Sequence, residues 1–209
     1  MQLRDYQQNA VNSTWNWLRS NKGNPVIVMP TGSGKSLVIA QLCKDAVAWG
    51  GRVLVVAHRK ELLTQNASEI QALLPCADVG IYSAGLNSRD VEHDIVCCGI
   101  QSVASKAFEF GSRQLVIVDE AHLIPLSGEG QYLTFLNDLR TANPKVRVIG
   151  LTATPFRLDC GPLCRPDAIF QKVSYNAEIG PLIDAGWLSK LTTRPARATV
   201  DTSMLHIRG

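Results

Sequence analysis

What the chain lacks narrows the field first. No apolar run exceeds the five residues of Val53–Ala57, far short of the roughly 20 that cross a bilayer as a helix. The opening Met1-Gln2-Leu3-Arg4-Asp5 has no apolar stretch of the kind a secretory leader carries. A cytoplasmic protein with no membrane partner is the expectation. Neither sign of charge dominates: 21 Lys and Arg against 18 Asp and Glu leave a net +3, which permits nucleic-acid binding without arguing for it. The six cysteines include no Cys-x-x-Cys pair. Cys160 and Cys164 have the spacing of half a metal site, but no second Cys/His pair follows closely, and the four histidines are scattered. Free thiols are expected, and no zinc. Internal repeats and low-complexity tracts are absent as well.

What is present is an alternation. Short apolar runs at Val26–Met29, Val53–Ala57, Ile95–Cys98, Leu115–Val118 and Val146–Leu151 predict buried strands, with Val79–Tyr82 a sixth. Helical patterns stand between them at Leu37–Trp49, Lys60–Leu74 and Tyr132–Arg140, closed by Gly50-Gly51 and by Asn143-Pro144. Continuous apolar strands alternating with helices predict an α/β fold, a three-layer α/β/α sandwich with a mostly parallel central sheet. Trp15 and Trp17, two apart in an early helical segment, cannot share a face, so one is expected in the core and the other partly exposed. After Pro155 the stretch Phe156–Phe170 is rich in Gly, Pro and charge and reads as a loop. A short helix is predicted over Asn176–Ala185, ending at Gly186. The expected division is a domain over 1–187 and a linker over 188–209 that leads toward a further domain.

At Val26–Ala40, VIVMPTGSGKSLVIA, a strand breaks into glycines and a lysine and resumes as a helix. Glycine lets backbone N–H groups turn toward an anion at φ > 0 without a Cβ penalty. A helix beginning near Lys35 adds the positive end of its dipole. Thr31, Gly32, Ser33 and Gly34 then cradle phosphates, Lys35 reaches the β- and γ-phosphates, and the Ser36 hydroxyl can ligate Mg²⁺. The strict G-x-x-x-x-G-K-[ST] pattern is not met, because Met29 occupies its first position. Taken alone, the loop indicates only a nucleoside triphosphate.

LVIVDEAH puts Asp119 and Glu120 directly after a predicted strand, at the carboxyl end where open α/β sheets bind ligands. Asp119 can hold Mg²⁺, and Glu120 can orient and deprotonate an attacking water. An enzyme that transfers phosphate to its own acceptor has no need of the adjacent Glu, so the pair favours hydrolysis.

These residues reach a known family. Asp119-Glu120-Ala121-His122 resembles the DEAH box of superfamily 2 helicases, and other stretches follow in that family's order. LRDYQQNAV is similar to the Q-type motif, VVAHRKELLTQ to motif Ia, GIQSVA to the motif after it, and GLTATPFR to motif III. The likeness spans nearly the whole chain and looks closest to the RadD-like bacterial DNA-repair helicases. It implies a RecA-like P-loop lobe in which the motif III strand lies between the phosphate-loop and DEAH strands. It implies that Gln7, helped by Arg4, recognises the adenine of ATP, and that Thr152 and Thr154 bond toward His122 to couple the γ-phosphate to the track. His58, Arg59, Gln65, Gln101 and Ser102 match positions that contact a nucleic-acid backbone, DNA above all, which positions a strand without reading it. Motors of this type close ATP between two such lobes, and the Gln-x-x-Gly-Arg-x-x-Arg motif of the second is not in these 209 residues. The resemblance therefore implies a second RecA-like lobe as partner and near-inactivity of this lobe alone. An RNA track, a restriction-type translocase subunit and a nucleotide-gated binding module stay open at this point.

Overall fold

The computed structural model describes residues 2–125, 130–157 and 161–190. Helix α1 (Asp5–Ser20) leads into strand β1 (Pro25–Val28), then α2 (Lys35–Ala48), β2 (Val53–Ala57), α3 (Lys60–Leu73) and β3 (Val79–Ser83). The short β4 (Ser88–Arg89) turns back on β3, and β5 (Ile95–Gly99), α4 (Ile100–Val103), β6 (Leu115–Asp119), α5 (Gln131–Ala142) and β7 (Arg147–Thr152) follow. A two-stranded ribbon of β8 (Phe156–Arg157) and β9 (Gly161–Pro162) precedes β10 (Lys172–Asn176) and α6 (Ile179–Asp184).

The sheet runs β10-β1-β7-β6-β2-β5-β3-β4 and is parallel throughout except for the antiparallel β3–β4 pair. Its central strands read as unbroken apolar runs because they are covered on both faces. Alternate side chains feed two cores. Ile27, Leu115 and Ile117 pack with α1, α2 and α3 on one face, while Val26, Val28, Val116 and Val118 pack with α4 and α5 on the other. Tyr132, Phe135, Leu136 and Leu139 recur at helical spacing to seal that second face. The α/β sandwich with a mostly parallel sheet is the observed architecture, and no helix among the described residues is long and apolar enough to cross a membrane.

Three differences from the sequence reading have physical causes. Val146–Leu151 is shifted by one residue to Arg147–Thr152, so Thr152 ends the strand and its carbonyl accepts the Met29 N–H at 2.9 Å. The stretch Lys172–Asn176 was not predicted as a strand. It is an edge strand, half-buried at best and bearing a lysine, so the apolar signal used to find the central strands is missing; its pairing with β1 pushes the following helix back to Ile179–Asp184. Neither tryptophan of α1 is core: Trp15 and Trp17 are both half-buried, and Trp15 spends its indole N–H on Asp45 Oδ2 at 2.7 Å. The proposed linker lies outside the described residues from 191 onward, as does Cys160; Cys43, Cys76, Cys97, Cys98 and Cys164 are free thiols.

A candidate nucleoside triphosphate site

Strand β7 lies between β1 and β6, so the loop after β1 and the carboxylates after β6 open at the same end of the sheet, one strand apart. Met29 completes the descent of β1 into the core and is fully buried. That burial accounts for an apolar residue at the first position of the phosphate-loop pattern. The turn itself needs glycine at two places: Gly32 and Gly34 both hold φ +79°, the left-handed region that costs other residues about 1–2 kcal/mol. Between them Ser33 is buried, its hydroxyl donating to the Pro30 carbonyl at 2.6 Å. Helix α2 starts at Lys35, whose Nζ lies 3.5 Å from the Met29 carbonyl, across the mouth of the loop.

A cavity of about 330 Å³ joins the two halves. Thr31, Gly32, Gly34, Lys35 and Ser36 line one side, Asp119 and Glu120 another, and Leu62, Gln65, Asn66 and Glu69 of α3 a third. Its volume lies within the roughly 300–1,000 Å³ of small-molecule sites. Asp119 is 4% exposed. Its Oδ2 accepts from Asn66 Nδ2 at 3.2 Å and its Oδ1 from the Glu120 N–H at 3.0 Å. Burial pushes its carboxyl above the ordinary value; the Asn66 amide and the Lys35 charge pull the other way, and the Glu120 charge adds to the rise. A hydroxyl and a buried carboxylate in one phosphate-sized cavity suit a hard cation, and Mg²⁺ is commonly held by one or two such ligands with water and phosphate oxygens supplying the rest. The donors present fit that ion.

Asn66 was not among the sequence candidates. It is 1% exposed and falls between Leu63 and Ile70 on the buried face of α3. A polar residue on an apolar helical stripe is the signal that could have found it.

Glu120 turns the chain, at φ 55° and ψ 51°, into a single 3-10 turn, Ala121–Leu123. Its Oε2 lies 3.3 Å from His122 Nδ1, which is also 2.9 Å from Thr152 Oγ1. Thr152 gives its own proton to the Thr154 carbonyl at 3.1 Å and accepts the Thr154 N–H at 3.0 Å. With that proton spent, the Thr152 oxygen is an acceptor for His122, which assigns the ring hydrogen to Nδ1. Hydrogen bonds thus link His122 through Thr152 to Thr154, and the Glu120 carboxylate lies against the His122 end of that path. A second cavity of about 570 Å³ lies along it, lined by Thr31, Arg59, Glu61, Leu62, Glu120, His122, Leu123, Ala153 and Thr154.

Arg4 and Gln7 sit against the outside of the loop. Gln7 is 1% exposed; its Nε2 donates to the Ser33 carbonyl at 3.0 Å and its Oε1 accepts the Arg4 N–H at 2.9 Å. The Tyr6 hydroxyl donates to the same Ser33 carbonyl at 2.7 Å. The Arg4 guanidinium stands 4.2 Å from the Trp187 ring, a neighbour not legible from local pattern because 183 residues separate the two in the chain.

Four of the five residues read as strand contacts gather where β2 and β5 end side by side. His58, Arg59 and Gln101 are exposed, and Gln101 Nε2 donates to the His58 carbonyl at 2.9 Å. Ser102 accepts the Ala84 N–H at 2.9 Å and so ties this rim to the end of β3. Gln65 does not join them. Leu62, Gln65, Asn66 and Glu69 share one face of α3, and that face turns Gln65 into the cavity with Lys35 and Asp119.

A family described as "Type III restriction enzyme, res subunit" matches residues 1–157. IRC3 of Saccharomyces cerevisiae, which bears the name of an ATP-dependent helicase, is 26% identical over 212 residues, covering 96% of this chain and 30% of the yeast protein. The UvsW helicase from bacteriophage T4 superposes with a TM-score of 0.63 at 19% identity, over 84% of this chain and 60% of that one. A type ISP restriction-modification enzyme, LlaGI, in complex with a DNA substrate mimic, gives 0.66 at 17% identity over 90% and 21%. The chain therefore spans less than two thirds of the relatives it matches. The chain belongs to the family of type III restriction enzyme res subunits, whose model matches three quarters of its length, and it has the RecA-like fold shared with the UvsW structure.

Proposed function

We propose that this lobe binds Mg-ATP in the cavity between the Thr31–Ser36 loop and the Asp119–Glu120 pair, and that hydrolysis there drives movement along DNA. One observation carries the reading: Lys35, at the start of α2, and both carboxylates, at the end of β6, line a single cavity. The backbone of Thr31, Gly32, Ser33 and Gly34 cradles the phosphates, with the N-terminus of α2 behind them. Lys35 holds the β- and γ-phosphates. Ser36 and Asp119 hold Mg²⁺, which when bound neutralises the charge on the phosphates. Glu120 orients the attacking water and takes its proton. Asn66 and the Glu120 N–H fix the Asp119 carboxylate, and Arg4 and Gln7 brace the loop beside the base.

The path Glu120–His122–Thr152–Thr154 supports a coupling role for the last three, since it links the general base to the chain after β7. His58, Arg59, Gln101 and Ser102 form the rim that receives the strand's phosphates. The intact Asp119-Glu120-Ala121-His122 and the order of its companions support a DEAH-type motor near the RadD-like DNA-repair branch. Residues 1–187 are the lobe, and 188–209 lead to the second RecA-like lobe. A cytoplasmic location accords with the free thiols, of which Cys43, Cys97 and Cys98 are buried.

The test is ATP turnover by the full-length polypeptide with single-stranded DNA, duplex DNA and RNA. Stimulation by DNA is expected, and Glu120→Gln should lose at least about 100-fold in kcat while nucleotide binding is retained. Equal turnover in that variant would remove the general base from the scheme. A restriction-type translocase is favoured as a second reading by the family's description and by the likeness to LlaGI; duplex-stimulated hydrolysis without strand separation would select it.

A further inference from the structure

At the end of the sheet away from the phosphate loop, β6 and β7 begin side by side, Leu115 in register with Arg147. Together with α1 and α2 they border a cavity of about 500 Å³, within the roughly 300–1,000 Å³ of small-molecule and side-chain pockets. It shares no lining residue with the nucleotide cavity. The run of β6 from Leu115 to Asp119 sets the two apart by roughly 13 Å of strand.

Trp15, Leu18, Trp49 and Leu115 supply its walls. Trp15 has spent its indole N–H on Asp45 and offers the cavity only its ring. Trp49 caps α2 and is 56% exposed. An indole left in water forgoes the gain of its burial, yet this one is set in place. A β-carbon at Gly51 would lie 2.4 Å from the Trp49 ring, so only glycine there lets the ring rest against the backbone.

The polar lining has an excess of one sign. Arg19 and Arg147 stand against Asp45 alone, two positive charges to one negative. Both Asp45 oxygens accept from neutral donors at 2.7 Å, Trp15 Nε1 and Gln41 Nε2. Among the described residues no carboxylate pairs with either arginine. Arg147 is fixed by the carbonyls of Leu18, Asn21 and Gly23, so its charge is held in the wall and left uncompensated. Arg19 is exposed and bonds Asn16 Oδ1 at 3.2 Å. Gln114 accepts the Arg52 N–H on its Oε1 at 2.8 Å, which leaves its Nε2 to donate. Aromatic walls beside unsatisfied donors and net positive charge call for an anion with an apolar body.

We propose that this cavity is the docking site for an acidic segment of a partner protein, with one aromatic or large aliphatic side chain seated against Trp15 and Trp49 and a neighbouring carboxylate received by Arg19 in the field of Arg147. Trp and Arg are the residues that most often anchor such interfaces. The chain's own stretch from 191 to 209 has the wrong charge for this role, with three arginines to one aspartate, and a second copy brings a net +3. The site does not rest on the ATPase reading, and both cavities can be filled at once.

The test is fluorescence anisotropy on the full-length polypeptide with a panel of short fluorescein-labelled peptides, each carrying one Phe, Trp or Leu beside two Asp. At least one peptide should bind, less tightly as salt rises. Trp49→Ala and Arg19→Glu should each weaken it by about tenfold or more, while DNA-stimulated ATP turnover and melting temperature stay at wild-type values. Replacing the apolar residue of the peptide by Ala, or its Asp by Asn, should weaken binding as much. A panel that does not bind, or binding indifferent to Trp49→Ala and Arg19→Glu, overturns the inference. So does displacement of the peptide by an ATP analogue, which would place it in the nucleotide cavity. Dimerisation in sedimentation runs that Trp49→Ala abolishes would give the surface to a second copy. An oligonucleotide whose affinity Trp49→Ala reduces would give it to nucleic acid, and either result overturns the peptide assignment. Absence of ATP turnover in wild type would sink the ATPase reading and leave this inference standing.

Discussion

At Gly34 the backbone holds φ +79°, and a β-carbon there would lie 2.5 Å from Gln7 Nε2. Two penalties coincide: left-handed strain of about 1–2 kcal/mol and displacement of the amide that donates to the Ser33 carbonyl. Gly34→Ala is therefore expected to lose about 1–3 kcal/mol of stability and most of its nucleotide affinity, measured by chemical denaturation and by titration with a fluorescent ATP analogue. Gly32, whose Cβ would meet nothing closer than Leu188 at 3.7 Å, should suffer the backbone strain alone. This part of the site was readable because its chemistry is local: Gly-Ser-Gly-Lys-Ser needs only its own backbone to form an anion cradle. Asp119 and Glu120 were readable for a similar reason, as polar residues ending an apolar run. Asn66 was not, because it acts through a partner on another element and in sequence is one more residue on a helix.

Among the elements, the central strands declared themselves through Val- and Ile-rich runs buried on both faces, and α5 through its apolar spacing. The two edges did not. At one edge β10 is half-exposed; at the other β4 has two residues and is held by side-chain chemistry. Asp90 Oδ2 accepts the Ile81 N–H at 2.9 Å and the Ser88 hydroxyl at 3.0 Å. These contacts, the Ile81 N–H foremost, lower the Asp90 carboxyl from its ordinary 3.8. A carboxyl lowered on folding contributes stability that is fully present above its unfolded value and fades as pH falls through the folded one. Asp90→Asn should thus lower the melting temperature at neutral pH by a small amount, about 1–3 °C for a group this exposed. The gap between variant and wild type should close as pH drops below 3.8. A pH series of thermal melts measures both. A gap that stayed constant into acid would mean that shape, and not the carboxylate's charge, holds the β3–β4 turn.

At the scale of the whole molecule, the proposed motor closes ATP between two lobes. On that proposal a positive charge from the second lobe faces Lys35 and Ser36 across the phosphates, and such an arginine is worth about 10³–10⁵ in rate in comparable phosphoryl chemistry. Turnover by residues 1–209 alone should fall by about that factor relative to the full-length polypeptide, with Mg-ATP still bound weakly. Robust DNA-stimulated hydrolysis by this lobe in isolation would contradict the two-lobe scheme.

Local patterns were enough to specify the class of fold, the Gly-Ser-Gly-Lys-Ser turn and the carboxylate pair that ends β6, because each depends on contacts within a few residues or on the burial period of one element. Only the tertiary structure decided what those parts address. The crossover that inserts β7 between β1 and β6 brings loops some 85 residues apart into one cavity. The face that α3 presents to the cavity carries Gln65, while Arg59, just before the helix, stays on the rim. Such relations are set by how layers stack on a shared core, a cooperative property of the whole chain that no window along it contains.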